Sequence, residues 1–203
     1  MKSAVSVVAF MLLTVCAISG CSVLPAQATQ PQTHDFGPLP VPAGIAGMVR
    51  VDRVSAPAWI DDGAIHYRLL YSDPTSLRSY ADHRWAAAPS DLLDLRLQAL
   101  MGGRSSSGES AQPTRLLSVE LMEFEQDFAA AKQASVQLVA KASLRQTLDG
   151  RVLGEKRFVL SVPSTPDIHG AITDLSGLAG TAAEQIASWC AEIDRQGKPG
   201  TSD

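Results

Sequence analysis

Residues 135–148 read SVQLVAKASLRQTL and are followed by Asp149-Gly150. Alternate positions of this stretch carry apolar side chains: Val136, Leu138, Ala140, Ala142 and Leu144. The positions between them are mainly polar, and such alternation indicates a strand with one face in the core and the other in water. Asp149-Gly150 is a hairpin turn signal, so residues 157–162 are expected to return beside this strand. The stretch therefore predicts an antiparallel sheet.

The rest of the chain supplies further strands and two helices. Short apolar runs bounded by turn residues predict strands over 48–54, 65–71 and 116–126. A helix is expected from Ser90, as its N-cap, to Met101, and a second helix over 174–194 carries an apolar stripe suited to packing across a sheet. The predicted fold class is α+β: a mainly antiparallel sheet of about five strands with two helices packed on it, in the order β-β-α-β-β-β-α.

The first 21 residues carry a secretion signal. Lys2 precedes an apolar run from Ala4 to Ile18, which is shorter than the roughly 20 residues that a helix needs to span a bilayer. We therefore interpret residues 1–20 as a signal peptide. The residues Ile18-Ser19-Gly20-Cys21 are similar to a bacterial lipobox, in which small residues precede a cysteine whose thiol is joined to diacylglycerol. The alternative is an ordinary signal peptide with a cysteine there by chance.

Lipidation at Cys21 sets the expected location. Cleavage would make Cys21 the first residue of the mature chain, carrying acyl chains such as palmitate, and no other cofactor is predicted. The remaining chain is net negative, so acyl chains rather than a basic surface must hold it on the membrane. In the Gram-negative lipoprotein class, Asp after the lipidated cysteine retains a protein at the inner membrane. Ser22 in that position indicates the outer membrane, with the domain facing the periplasm.

The chain divides into a tether, one domain and a tail. Residues 21–46 are rich in proline and lack a helical or strand period, which predicts a lipidated tether, although a loop on the domain surface is an equal alternative around Asp35-Phe36. The α+β domain is assigned to residues 47–195 and a disordered tail to 196–203. Cys190 lies on the apolar stripe of the last helix and is expected to be a core residue.

Composition and motifs favour a protein without catalytic activity. A net charge of -4 argues against a nucleic-acid partner. No serine has a glycine two residues away on both sides, no Gly-rich phosphate loop is present, and the histidines show no zinc-ligand spacing. The carboxylate pairs Asp61/Asp62 and Glu123/Glu125 fit solvated surface better than acid–base catalysis. We predict neither a catalytic residue nor a metal site.

Aromatic and arginine side chains concentrate in the first half of the domain. Such a group suits a protein interface or an apolar ligand groove, although core packing is the more common role for any one aromatic residue. The candidate partner or ligand surface consists of Tyr67, Arg68, Tyr80, Arg84 and Trp85.

Several short motifs occur in a recognisable order behind the lipobox. They are Val49-x-Val51-x-x-Val54-x-x-Pro57-x-Trp59-Ile60-Asp61, then Ile65-x-Tyr67-Arg68, then Tyr80 and Arg84-Trp85-x-x-x-Pro89. Residues 119–128, VELMEFEQDF, and the long strand after them continue the pattern. Together these residues resemble the ABC-type transport auxiliary lipoprotein family, over about residues 48–193.

The resemblance implies a role in transport between membranes. Members of this family are outer-membrane lipoproteins that work with ABC-type or paraquat-inducible systems, whose mammalian-cell-entry (MCE) proteins move lipids between the two membranes. The resemblance implies a non-enzymatic docking component that takes its energy from partner proteins. It is also compatible with a homo-oligomer. Two alternatives stay open: a periplasm-facing lipoprotein that binds lipid or a small molecule, and, less favoured, a cell-envelope hydrolase.

Overall fold

A computed structural model describes residues 30–40, 49–102 and 114–197 of the chain. Cys21, the predicted signal peptide, most of the predicted tether and residues 104–112 and 198–203 lie outside these residues. The described part contains seven strands and two helices, in the following order. They are β1 (Gln32–His34), β2 (Val49–Ser55), β3 (Ala64–Leu69), β4 (Asp73–Trp85), α1 (Pro89–Leu100), β5 (Arg115–Ala130), β6 (Gln133–Gln146), β7 (Val152–Ser164) and α2 (Ile168–Gly197).

The α+β class is confirmed, and the predicted hairpin forms its centre. β5, β6 and β7 pair antiparallel, with Leu138 opposite both Phe124 and Leu160. Gly150 adopts φ +69°, a left-handed conformation that glycine reaches without a steric penalty, as the Asp-Gly turn requires. The long apolar alternation of β6 therefore settles the register of both of its neighbours.

The prediction of a mainly antiparallel sheet of about five strands is only partly right. The sheet has seven strands in the order β1-β4-β3-β5-β6-β7, with β2 beside β5 as well. It is mixed, because β1 runs parallel to β4 while β2 and β3 both run parallel to β5. The two strands that the predicted order lacks are β1 and β4. β1 has three residues, and β4 is mostly exposed with a proline at its second position, so neither shows a core-facing pattern.

A bulge in β5 decides which side chains face the core. The pairing with β6 shifts between Leu121 and Glu123, so the core-facing positions change from odd to even numbers along the strand. Leu117, Val119 and Leu121 are buried before the shift, and Phe124, Gln126 and Phe128 after it. This irregularity keeps the apolar side chains of a 16-residue strand on one face of the sheet.

Both helices pack on that same face. α2 lies across β5, β6 and β7 and also contacts α1, which in turn packs against β2. α2 begins at Ile168, six residues before the predicted start, because Asp167 caps it by accepting a hydrogen bond from the Gly170 amide at 2.8 Å. It continues to Gly197, so residues 196 and 197, expected in the tail, are helical.

The start of α1 also differs from the prediction. Pro89 is the first helical residue and Ser90 the second, so Ser90 is not the N-cap. The carboxylate of Asp61 takes the capping role from a distant loop, accepting hydrogen bonds from the Ser90 amide at 3.1 Å and from its hydroxyl at 2.7 Å. Asp61, one of the two neighbouring acids expected in solvent, thus joins the β2–β3 loop to α1.

Part of the segment that the sequence places in the tether belongs to the domain. β1 adds to the edge of β4, and Phe36 after it is buried against Trp85 and Phe124. Around Asp35-Phe36 the structure agrees with the alternative prediction, a segment that lies on the domain instead of a free tether. In the described part of the chain, neither helix has the length of apolar sequence needed to cross a bilayer.

Candidate functional site

The sheet face opposite the helices carries a row of acidic side chains along β5. The pairing register places Glu120 opposite Lys141, Glu125 opposite Gln137 and Asp127 opposite Ser135. Because of the bulge, acidic residues from both sides of the shift point away from the helices. We call this the charged face, and its members in the argument below are Arg68, Glu123, Glu125, Asp127, Gln137 and Arg157.

Arg68 of β3 and Glu125 of β5 form a two-point ion pair at the centre of the charged face. Arg68 Nε donates to Glu125 Oε1 at 2.9 Å, and its Nη2 donates to Oε2 at 3.1 Å. The remaining terminal nitrogen donates to the Pro74 carbonyl at 3.1 Å. The bond to Glu125 raises the pKa of Arg68 further, so the guanidinium stays charged, and the two-point contact fixes β3 against β5.

Asp127 is the least satisfied acid of the charged face. Its Oδ1 atom is buried and has no hydrogen-bond partner among the described residues. Burial, followed by the charge of Glu125, raises the pKa of Asp127 to about 6, against the opposing influence of Arg68. This carboxylate therefore changes its charge just below neutral pH.

Tyr67 and Tyr80 lie on the other side of the sheet from Arg68. Their rings are 4.7 Å apart, and the Tyr80 hydroxyl donates to Oε1 of Gln126 at 2.7 Å. Gln126 is fully buried and donates in turn to the Ser164 hydroxyl at 3.1 Å and the Thr165 carbonyl at 2.7 Å. Burial raises the pKa of Tyr80 to about 12, so this tyrosine stays a neutral hydrogen-bond donor.

The other two residues of the predicted surface also separate. Trp85 is 1% exposed and packs in the core with Phe36 and Phe124. Core packing, the more common role for a single aromatic residue, is thus the role of Trp85. Arg84 is exposed, and its guanidinium lies beside Gly63 at the start of β3. The five residues chosen from the sequence therefore do not form one continuous surface, and only Arg68 belongs to the charged face.

Sequence reasoning missed the partners that give this region its structure. Gln126 sits among alternating acids in the stretch Glu123-Phe124-Glu125-Gln126-Asp127 and carries no motif. In the sequence, Glu123 and Glu125 indicate only a pair of acids on one face of a strand. The useful signal was the break in apolar alternation between Leu121 and Phe124, which marks the bulge.

The histidines, acids and cysteine of the described residues are placed as follows. No group of three or more His, Cys, Asp or Glu side chains in them converges as metal ligands. His66 is buried and bonded to Asp62 at 2.9 Å, which is a structural contact within β3 and its preceding turn. Cys190 is buried, and burial raises the pKa of its thiol to about 12, so it is a core residue and not a nucleophile.

An open cleft of about 470 Å³ lies between the β1 segment and the first turns of α2. Its walls combine polar and apolar side chains, including Thr33, His34, Phe36, Ile172 and Ser176. The volume falls within the range of small-molecule pockets, but the cleft is open to solvent rather than enclosed.

Comparison with known proteins identifies relatives of the whole domain. A family model described as the ABC-type transport auxiliary lipoprotein component matches residues 27–187. A crystal structure of a Xanthomonas campestris protein assigned to the family model DUF330 is similar, with a TM-score of 0.66, 19% identity, and coverage of 81% of this chain and 98% of that one. A second crystal structure, of a protein described as uncharacterized, has a TM-score of 0.59 and 15% identity over 79% of this chain and 99% of that one. No protein of curated function matches this sequence.

Proposed function

This chain belongs to the family of ABC-type transport auxiliary lipoprotein components, and from that membership we propose that it is a non-enzymatic docking protein, anchored in the outer membrane, for an MCE-type intermembrane lipid transport system. The observation that carries the proposal is the order of two features along the chain. A lipobox ending at Cys21 stands directly before a domain that matches the family model from residue 27.

The anchor and the domain are close together in sequence. Ten residues, 22–31, separate Cys21 from β1. Even a fully extended chain of that length spans at most about 35 Å. A lipid on Cys21 would therefore keep the start of β1 within that distance of the membrane surface, and Ser22 supports the periplasmic side of the outer membrane.

The charged face is the surface that we assign to the transporter partner. Its centre is fixed by the Arg68–Glu125 fork, while Glu123 and Arg157 lie beside it with much of their side chains in water. Fixed charges of both signs suit recognition by complementary charges, which raises association rates and selects partners. Energy for transport would come from the ATPase or another partner protein.

Self-association into a homo-oligomer is the second part of the proposal. β7 is a 13-residue strand paired on one side by β6, and Val159 on it is 63% exposed. An unpaired strand edge with exposed apolar side chains is a template for pairing with another chain. The mass of the detergent-solubilised protein, measured for wild type and for Val159→Lys, tests this: an oligomer that becomes a monomer supports it, and a monomeric wild type contradicts it.

The anchor is tested by palmitate labelling and membrane fractionation of the wild type and Cys21→Ala. We expect label on the wild type in the outer-membrane fraction, and an unlabelled, unanchored Cys21→Ala protein. An unlabelled, soluble wild type would contradict the lipoprotein assignment.

The docking surface is tested by reversing charge on the charged face. Arg157→Glu is expected to reduce capture of the MCE partner at least several-fold, and Glu184→Lys, a reversal on the exposed side of α2, is the matched control. Because both side chains are exposed, both variants should fold normally. Equal capture by the two variants would exclude this face as the docking surface.

The carrier alternative is less well supported. A lipid carrier holds its ligand in a mostly apolar cavity, whereas the cleft that the described residues form beside β1 is open and partly lined by Thr33, His34 and Ser176. Extraction and mass analysis of lipids from the purified protein distinguishes the two roles, because a carrier would retain a stoichiometric ligand.

A further inference from the structure

A pair of histidines joins the edge strand β1 to the rest of the sheet. His34 Nε2 and His83 Nδ1 lie 3.0 Å apart, and the two rings are stacked with centroids 5.2 Å apart. One of the facing nitrogens must donate its proton and the other must accept it. The contact therefore exists only while at least one ring is unprotonated at that nitrogen.

The strand that this contact holds is weakly attached by its backbone. β1 has three residues and pairs with β4 alone, over His83, Arg84 and Trp85. A single backbone hydrogen bond continues the attachment beyond the strand, from the Ala86 amide to the His34 carbonyl at 2.6 Å. An edge strand this short makes few backbone hydrogen bonds, so side-chain contacts carry much of its attachment. Besides the histidine pair, Arg96 donates to the Phe36 carbonyl and the Ser176 hydroxyl donates to the Asp35 carbonyl at 3.4 Å, directly after the strand.

The charges around the pair do not compensate for protonation of both rings. His169 of α2 lies against His83 with ring centroids 6.2 Å apart, which brings a third imidazole to the same place. Burial, followed by the charges of His83 and His169, lowers the pKa of His34, and Asp35 offsets this only in part. The remaining charged groups nearby are Asp82 and Arg84, which flank His83, and Asp167, whose carboxylate is engaged in capping α2.

We propose that His34 and His83 form a pH-sensitive clasp that holds β1 on the sheet near neutral pH and releases it when both rings are protonated. Two imidazolium rings would place one N–H against another at hydrogen-bond distance, with no acceptor between them. Release takes up protons, so it becomes more favourable as the pH falls below the ordinary histidine pKa of about 6.5.

Release of β1 would have two structural consequences. Phe36 would leave its site between Trp85 and Phe124, which would expose part of the core. β2, which begins at Val49, would then be the first strand of the sheet along the chain. The clasp thus couples the acidity of the surroundings to the attachment of residues 32–36 to the sheet, whichever partner the domain binds.

Hydrogen exchange of the full-length protein, followed by mass spectrometry with a chelator present, tests the clasp. Between about pH 7.5 and pH 5.5, and after correction for the intrinsic exchange rate, protection of residues 32–36 should fall by about 10-fold or more, since each additional proton bound by the open state contributes up to 10-fold per pH unit. Amides of β6 and β7, far from the histidines, should keep their protection and serve as the internal control.

His83→Gln removes one of the two facing rings, and the protection of residues 32–36 in this variant should fall less steeply with pH than in the wild type, because only burial and His169 then oppose protonation of His34. His66→Gln, a change in a histidine that does not contact β1, should keep the dependence of the wild type. An unchanged pH dependence in His83→Gln would overturn the proposal. If that variant does not fold, NMR titration of His34 in the wild type decides: its pKa should lie below the ordinary histidine value of about 6.5, and a His34 transition at or above that value would equally overturn the proposal.

Discussion

Replacing Gln126 with Met is expected to lower the free energy of unfolding substantially, although both side chains have similar volume. Gln126 is fully buried and makes three hydrogen bonds, to Tyr80, Ser164 and Thr165. Each contributes about 1 kcal/mol, and polar groups left without a partner add a desolvation cost, so the expected loss is about 2–4 kcal/mol. This is a large fraction of the roughly 5–15 kcal/mol by which a domain is stable.

Urea unfolding followed by tryptophan fluorescence measures the effect, with Gln137→Met as the matched control. Gln137 lies on the charged face, where its amide contacts Glu123 and water can replace that contact. The control should change stability by less than about 0.5 kcal/mol, as surface substitutions usually do. A Gln126→Met protein as stable as this control would refute the view that the buried amide ties β4 to the β7–α2 connection, and Tyr80 would return to the docking candidates.

Three further changes test other parts of the structure. Asp127→Asn should stabilise the protein by about 1–2 kcal/mol at pH 7.5, after discounting for its partial exposure, and have little effect at pH 4. Burial and Glu125 raise the pKa of Asp127 to about 6, so the stability of the native state with a protonated Asp127 is lost as the pH rises through that value. Urea unfolding at the two pH values measures this, and a destabilised variant at pH 7.5 would contradict it. Trp85→Ala should cost about 3–5 kcal/mol, whereas Trp59→Ala, at a residue 63% exposed, should change thermal stability little, and equal melting temperatures would show that Trp85 is not in the core. In a protein with Cys16 and Cys21 both changed to Ala, the Cys190 thiol, with its pKa raised to about 12, should react with a thiol reagent at pH 8 only after unfolding, and rapid labelling of the native protein would exclude its burial.

The elements that could be predicted are those with one face in the core and the other in water. β6 carries an apolar residue at every second position, with Val139 as the only apolar residue between them, and α2 carries an apolar stripe along its length, so both follow from hydrophobic periodicity. The family resemblance rests on other parts of the chain, because its motifs lie mainly in β2, β3, β4 and β5 and were recognisable by their order.

The elements that could not be predicted are those held by their surroundings. β4 is mostly exposed, and β1 is stabilised by pairing with β4 and by Phe36 reaching the core rather than by any pattern of its own. Parallel pairing of β2 and β3 with one strand is likewise a tertiary choice that local sequence does not encode.

The residues of the predicted partner or ligand surface separate for a related reason. Tyr67 and Arg68 are neighbours in sequence, but in a strand successive side chains point to opposite faces. Tyr67 therefore joins Tyr80 beside Gln126, and Arg68 joins Glu125 on the charged face. Grouping aromatic and arginine residues by their distance along the chain could not separate the two sides of the sheet.

The most direct test of the central claim is crosslinking in intact cells, followed by purification of this protein from the outer-membrane fraction. A photoreactive residue in place of Glu123 on the charged face is compared with one in place of Glu184 on α2, each with and without Cys21→Ala. A docking lipoprotein predicts an MCE-domain protein crosslinked from position 123, absent from position 184 and lost without Cys21. Recovery of no MCE-domain protein from position 123, while the lipidated protein resides in the outer membrane, would contradict the docking role.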